Sequence, residues 1–218
     1  MGIATLLVLV CGAANGRPAE LMWQVLSQRA VAVAACAPGR VESHTEVLGG
    51  NGAVRGTVVE TWALAGWEHG QASYDVQRDE TGDPDIAVQL RLTGRSTPFL
   101  ASAEGRVTQR AAVPVELDGR CLIRFDFTER REEKPGKTVT LDGSAWLDAT
   151  SGAPWRVVYR HPAPHAPLKR WELTLQFADD PEAPPLPTQA RLEMEGQVLL
   201  WKRTVSVRQS LTHWQRPP

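Results

Sequence analysis

The sequence predicts a mainly β (α+β) fold, a curled antiparallel sheet or half-barrel of about nine to eleven strands covering one N-terminal amphipathic helix. Three observations carry that prediction. Apolar and polar residues alternate with a period of two in run after run between residues 40 and 211. The runs are separated by loops punctuated with glycine and proline rather than by helical segments, which favours antiparallel neighbours over parallel crossovers. A single segment, residues 18–35, carries a helical repeat instead.

In that segment Pro18 suits a first helical turn and Glu20 the positive end of the helix dipole. Leu21, Met22, Val25, Leu26, Ala30 and Val33 recur at steps of three and four, leaving Gln24, Gln28 and Arg29 for the wet side. Pro38 and Gly39 end the helix. A helix with one apolar face must lay it on a partner, and the chain beyond residue 40 offers almost only strands for that role.

Strands are expected at residues 40–48, 56–67, 71–78 and 86–92, with loops at 49–52, 81–84 and 94–97. The glycines of residues 48–56 are followed by neither Lys-Ser, Lys-Thr nor a helix, so they read as a hairpin loop and not as a phosphate cradle. Residues 139–159 form the clearest hairpin. Val139, Leu141, Ala145 and Leu147 alternate with Thr140, Asp142, Ser144 and Asp148, and Trp155, Val157 and Tyr159 alternate with Arg156 and Arg160. Gly152 can take the positive φ of the turn, and Pro154 can stand at a strand entrance where no ladder donor is required. Further one-sided strands place Cys121, Ile123, Phe125 and Phe127 on one face. Trp171, Leu173, Leu175 and Phe177 do the same, as do Ala190, Leu192, Met194 and Val198, and then Leu199, Trp201, Val205, Val207 and Leu211. The mixed charges of residues 129–134 read as a solvated loop before Pro135 and Gly136.

With 42% hydrophobic and 22% charged residues, the 218-residue chain can bury one real core and is read as one domain. Lys plus Arg number 24 against 25 Asp plus Glu, a formal net charge of -1. That balance gives no electrostatic footprint for nucleic acid or an anionic membrane, and it favours a neutral or apolar partner. The first fourteen residues carry no charge and hold an apolar run, residues 3–10, followed by Cys11, Gly12, Ala13 and Ala14. A secretory signal peptide is therefore expected over residues 1–16, leaving residues 17–218 as the exported domain; the alternative is a short buried element of the fold. Acylation of Cys11 is not expected, because Val10 stands where the processing enzyme needs a small residue. Removal of the signal leaves Cys36 and Cys121, an even count that makes them a disulfide candidate, the alternative being two buried thiols.

The order of signal peptide, amphipathic helix and antiparallel meander resembles the periplasmic lipoprotein-carrier superfamily. These are the LolA- and LolB-like, outer-membrane lipoprotein-sorting proteins built on an unclosed β-barrel, together with the lipid-binding and sensor domains that share it. The stretch Trp146-Leu-Asp-Ala-Thr-Ser-Gly-Ala-Pro-Trp-Arg-Val157 looks like that group's hairpin of an apolar residue and Asp, a Thr- or Ser-Gly turn, then an apolar-Pro-apolar-basic strand. Those carriers are rich in Met or Leu where acyl chains bind, whereas this chain has three Met and eight Trp. The resemblance implies a periplasmic transport protein that holds a lipid or a lipoprotein acyl chain on the concave face of the half-barrel.

The apolar strand faces supply the candidate lining: Trp62, Trp171, Leu173, Phe177, Met194, Trp201 and Val205, although aromatic positions on such a face are more often plain core. Two other readings stand beside this one, a sensor or scaffold domain that binds an envelope protein partner, and an enzyme with its site on the loops. No catalytic residue, metal site or cofactor is expected. His161 and His165 are four residues apart, but the prolines between them forbid the helix that would bring both rings to one face, and no Ser or Cys stands in a nucleophile elbow.

Overall fold

The alternation is realised as ten strands of a single antiparallel sheet. A computed structural model describes residues 18–82, 88–134, 136–162, 164, 168–198 and 201–218. The expected signal segment, Ile86, His165 and Leu199 lie outside the described residues, as do the side chains of Val198 and Trp201. The elements are α1 (Ala19–Ala32), β1 (Arg40–Leu48), β2 (Val54–Glu68), β3 (Gln71–Gly82), α2 (Pro98–Ala103), β4 (Val107–Leu117), β5 (Arg120–Lys134), β6 (Lys137–Asp148), β7 (Pro154–Arg160), β8 (Leu168–Phe177), β9 (Pro187–Val198) and β10 (Trp201–Thr212).

The strand order is β3-β2-β1-β10-β9-β8-β7-β6-β5-β4. Every strand lies beside a sequence neighbour, yet β1 closes on β10, so the consecutive strands β3 and β4 stand at opposite edges of an unclosed sheet. The chain between them must cross from one edge to the other, and its described part, from residue 88, runs over the inner face. The side chain of Gln209, on the inner face of β10, donates to the Leu90 carbonyl at 2.8 Å. Beyond it the Gly94 N–H donates to the Cys36 carbonyl past the end of α1 at 2.8 Å, and α2 then lies against α1. The expected strand at 86–92 is absent among the described residues 88–92: the Leu90 carbonyl meets the Gln209 side chain, not a neighbouring strand. The helix α2 and the strand β4 have no counterpart in the sequence-based expectation.

Register separates the two faces. On the inner face Val41, Ser43, Thr45 and Val47 of β1 stand opposite Leu211, Gln209, Val207 and Val205 of β10, and all eight are buried. The 139–159 hairpin forms as expected, with Pro154 opening β7 and Gly152 at φ 73°. Asp148 caps its turn, accepting hydrogen bonds from the Thr150 and Ser151 N–H groups at 3.0 and 2.8 Å.

Helix α1 lies on the inner face, but rotated from the expected face. Met22, Trp23, Leu26, Ser27 and Ala30 are buried. Leu21 is 43% exposed and Val25 only half-buried. Trp23 decides the rotation: its ring meets Phe99 of α2 and Phe125 and Phe127 of β5 at centroid distances of 5.1, 5.2 and 5.6 Å. An indole in an aromatic nest outweighs a leucine on the neighbouring face, because it buries more area and gains edge-on ring contacts. On the far side Arg29 donates to the carbonyls of Pro181 and Glu182 at 3.0 and 3.1 Å, fastening the helix to the loop before β9.

The Cys36–Cys121 disulfide does not form. Cys36 is a buried free thiol in a small cluster with Val33, Leu186 and Trp214 just past α1, where it behaves as a small hydrophobe. Cys121 stands exposed near the start of β5.

Truncation should rank accordingly. Trp23→Ala should cost about 3–5 kcal/mol and Leu26→Ala about 2–5 kcal/mol, while Leu21→Ala should fall within about 0.5 kcal/mol of the parent, as surface changes do. Urea unfolding monitored by circular dichroism measures all three, and equal losses at Leu21 and Trp23 would contradict the packing described.

Candidate functional site

The expected lining residues are brought together, but as core. Trp62, Leu173, Phe177 and Val205 are buried in the same apolar cluster as Met22, Trp23 and Leu26. Trp171 and Met194, cross-strand partners in register, pack against that cluster while partly exposed. The side chain of Trp201 lies outside the described residues. Of the six that are described, Trp62 borders open space.

That space is a cleft between the hairpin of β2 and β3, the segment after α1 and the chain that crosses to α2. Its deeper part, about 340 Å³, is lined by Val41, Trp62, Trp67, Tyr74, Leu92 and the segment 34–38, with Arg91 and Arg95 at its border. An adjoining, more polar part of about 450 Å³ shares Trp62, Tyr74 and Arg91 and adds Val76, Gln89, His69, Ser73 and Glu68. The walls are held rigidly. Tyr74 donates to the Pro38 carbonyl at 3.0 Å, and its ring sits 5.9 Å from that of Trp62. Trp62 in turn donates to Glu60 at 3.3 Å, and Glu60, buried on the inner face, is paired with Arg78 of β3 at 3.1 Å. Burial raises the Tyr74 phenol above its ordinary value against the opposing field of Arg91, so it stays neutral. Arg95 is engaged by Glu104 at 2.8 Å, whereas Arg91 reaches no carboxylate among the described residues and bonds Gln89 at 3.5 Å. The deeper part of the cleft is therefore an aromatic and aliphatic wall, and at its border Arg91 has no described carboxylate within ion-pair range, although Glu68 lines the adjoining polar part.

A second polar feature overturns a sequence reading. Residues 129–134 are not a solvated loop but the end of β5, and Glu129 is 1% exposed on the inner face. Its carboxylate accepts from Arg131 Nε at 2.7 Å and from Arg106 Nη1 at 3.1 Å. The Arg131 guanidinium also lies 4.5 Å above the ring of Tyr159, itself wholly buried and edge-on to Phe127 at 5.7 Å. The Tyr159 hydroxyl lies against Glu129 and Arg131 without reaching full hydrogen-bond geometry. Burial first, and the Glu129 charge second, push that phenol well above its ordinary pKa, so it stays protonated near neutrality. Arg106 also holds Glu104, at 2.6 Å, at the far end of α2. The cluster thus pins the end of the crossing chain to β5. Its charged members are paired with one another, Glu129 with Arg106 and Arg131 and Glu104 with Arg106. The signal available in sequence was the period of two that continues from Phe125 and Phe127 to Glu129 and Arg131.

Among the described residues no group of three His, Cys, Asp or Glu side chains converges as a metal site would require. His161 stands in the segment after β7, and His44, His69 and His213 lie apart from one another.

Removing Glu129 should expose the cost of the fastening. Glu129→Ala leaves Arg131 enclosed without its counter-charge and should destabilise the fold by about 3–5 kcal/mol. The Arg106 hydrogen bond holds the Glu104 carboxyl below its ordinary pKa, against the opposing effect of burial. Its contribution is therefore present above the unfolded carboxylate pKa and lost as pH falls through the lowered folded value. Glu104→Gln should flatten the acid limb of a melting-temperature profile, and an unchanged limb would show that the pair is not formed. Compared with protein-family models, with curated proteins and with solved structures, the chain matches none.

Proposed function

We propose that this chain is an exported, periplasmic binding protein that holds an apolar ligand, a lipid or the acyl chain of a lipoprotein, in the cleft at the β2–β3 end of its half-barrel. The observation that carries the reading is the pairing of an apolar wall, Trp62, Trp67, Tyr74 and Leu92, with the guanidinium of Arg91 at the border of the same cavity. A volume of about 340 Å³ lies within the range of small-molecule sites. Burying an acyl chain there at about 0.8 kcal/mol per CH₂ offsets the cost of association once roughly ten methylenes are enclosed. The cation suits a carboxylate or phosphate at the ligand's polar end. Export rests on the uncharged, apolar first fourteen residues, and the resemblance of the hairpin at 146–157 to lipoprotein carriers points to the same class of ligand.

The second reading, a scaffold that binds an envelope protein, is favoured by one observation. The inner face beneath α1 is filled by Trp23, Phe99, Phe125 and Phe127 rather than left as a trough.

Native mass spectrometry of protein isolated from its host envelope, followed by lipid extraction, distinguishes the two. Co-purifying lipid or acylated protein that is lost in Trp67→Asp and weakened in Arg91→Gln, with melting temperature unchanged, is the expected result. Protein that is consistently empty, or lipid retained in both variants, would reject the cleft as the site.

A further inference from the structure

The outer face of the sheet carries a feature that the apolar cleft does not use. Across β7 to β10 runs a depression of about 620 Å³, lined almost wholly by polar side chains. Its carboxylates are already neutralised: Glu172 meets Arg160 at 2.8 Å and Arg170 at 3.6 Å, and Glu193 meets Arg170 at 3.6 Å and also Arg191. Two arginines are left over. Arg156 and Arg208 have no carboxylate in ion-pair range among the described residues.

Arg156 is held in place without being satisfied. Its guanidinium lies 4.5 Å from the ring of Trp146 and 4.7 Å from that of Trp155, and its Nε is buried with no acceptor among the described residues. Burial also lowers its pKa, as expected of a desolvated cation. Two aromatic faces fix a charge at one end of a polar trough, which is the preorganisation that anion recognition needs.

Register gives the spacing. Arg156, Gln176, Gln189 and Ser210 form one row across β7, β8, β9 and β10, and Thr174, Arg191, Arg208 and His44 form the next across β8, β9, β10 and β1. Arg156 and Arg208 are three strand spacings apart, about 14 Å. The depression does not stop at Arg208: a second one of about 490 Å³ shares Gln189 and Arg208 and continues over His44, Thr61 and Val59 to β2. The joined path crosses six strands, about 24 Å. Its further carboxylates are paired as well, Glu42 with Arg40 at 3.0 Å and Glu60 with Arg78 at 3.1 Å.

We infer that this outer trough binds an acidic oligosaccharide, a linear chain of hydroxylated rings with well-spaced carboxylates, two of which are received by Arg156 and Arg208. The length and continuity of the path call for an extended polymer. Its sparse cations, separated by the amides of Gln176 and Gln189 and the hydroxyl of Thr174, match a chain that presents many hydroxyls and few charges. An acidic peptide is the poorer match, because an extended peptide is recognised by pairing its backbone along a sheet edge, and a path across the face of six paired strands offers no backbone partner.

Isothermal titration of the full chain with hexagalacturonate at low salt, beside uncharged maltohexaose and hexaglutamate, tests this. Saturable binding of hexagalacturonate alone is expected, with affinity reduced about tenfold by Arg156→Gln and by Arg208→Gln, the loss typical of one charge-assisted hydrogen bond. Arg208 is exposed, so its variant keeps the fold even if the Arg156 variant does not. Absence of hexagalacturonate binding, binding unaffected by Arg208→Gln, or equal affinity for maltohexaose would overturn the proposal. Equal affinity for hexaglutamate would replace the saccharide with an acidic peptide. None of these outcomes bears on the apolar cleft, which lies at the inner side of the β2–β3 hairpin.

Discussion

The structure depends on the burial of Trp23. Its ring touches α2 and β5 together, and its indole N–H donates to Ser102 at 2.9 Å, so one side chain ties the helix, the crossing chain and the sheet. At about 25 cal/mol per Å² and about 150–250 Å² per buried aromatic, such a residue contributes on the order of 4–6 kcal/mol, a large share of any domain's net stability. The geometry that admits it is specific. Gly143 stands beside Phe127 in register, and a Cβ there would come within 2.2 Å of the ring; its absence lets Phe127 lie flat and leave room for the indole.

An unclosed sheet has two edges to protect, and topology puts consecutive strands at both. The crossing chain is the consequence. It covers part of the inner face on its way, bonded to Gln209 at Leu90 and to the end of α1 at Gly94, and it is fastened to β5 through Arg106 and Glu129. On the β4 edge a bulge between Gln109 and Ala111 and the presence of Pro114 interrupt any regular ladder that another chain could extend. Beside the β2–β3 turn, the hairpin, the segment after α1 and residues 91–95 of the crossing chain do not fully meet. The apolar cleft lies in that gap, so the same topology that fills the middle of the half-barrel opens its margin.

Most strands were legible because one face is dry and the other wet, and alternation survives in sequence whatever the partner strand. The hairpin around Gly152 was legible down to Pro154, since both positions have a single backbone explanation. The helix was legible but its rotation was not: Leu21, Met22, Trp23, Val25, Leu26, Ala30 and Val31 surround much of the axis, and only the aromatic nest in the sheet selects among them. Residues 88–106 have no period because they are matched to two different surfaces in turn. Glu129 reads as solvated because a charge run normally is, and its burial depends on Arg106, a residue brought to it by β4. The candidate site was half legible. Trp62 is recognisable as an apolar residue on a dry strand face, but Trp67, Tyr74 and Arg91 join it only when β2 turns back on β3 and the crossing chain returns.

The proposed ligand site lies at the margin of the half-barrel, while the middle, centred on Trp23, is filled. Indole N–H resonances report on this directly, each tryptophan giving one signal assignable by substitution. On titration with a medium-chain fatty acid, the signals of Trp62 and Trp67 should shift and saturate together while that of Trp23 stays fixed. A shift of Trp23 with those of Trp62 and Trp67 unmoved would contradict the account and place the ligand beneath the helix.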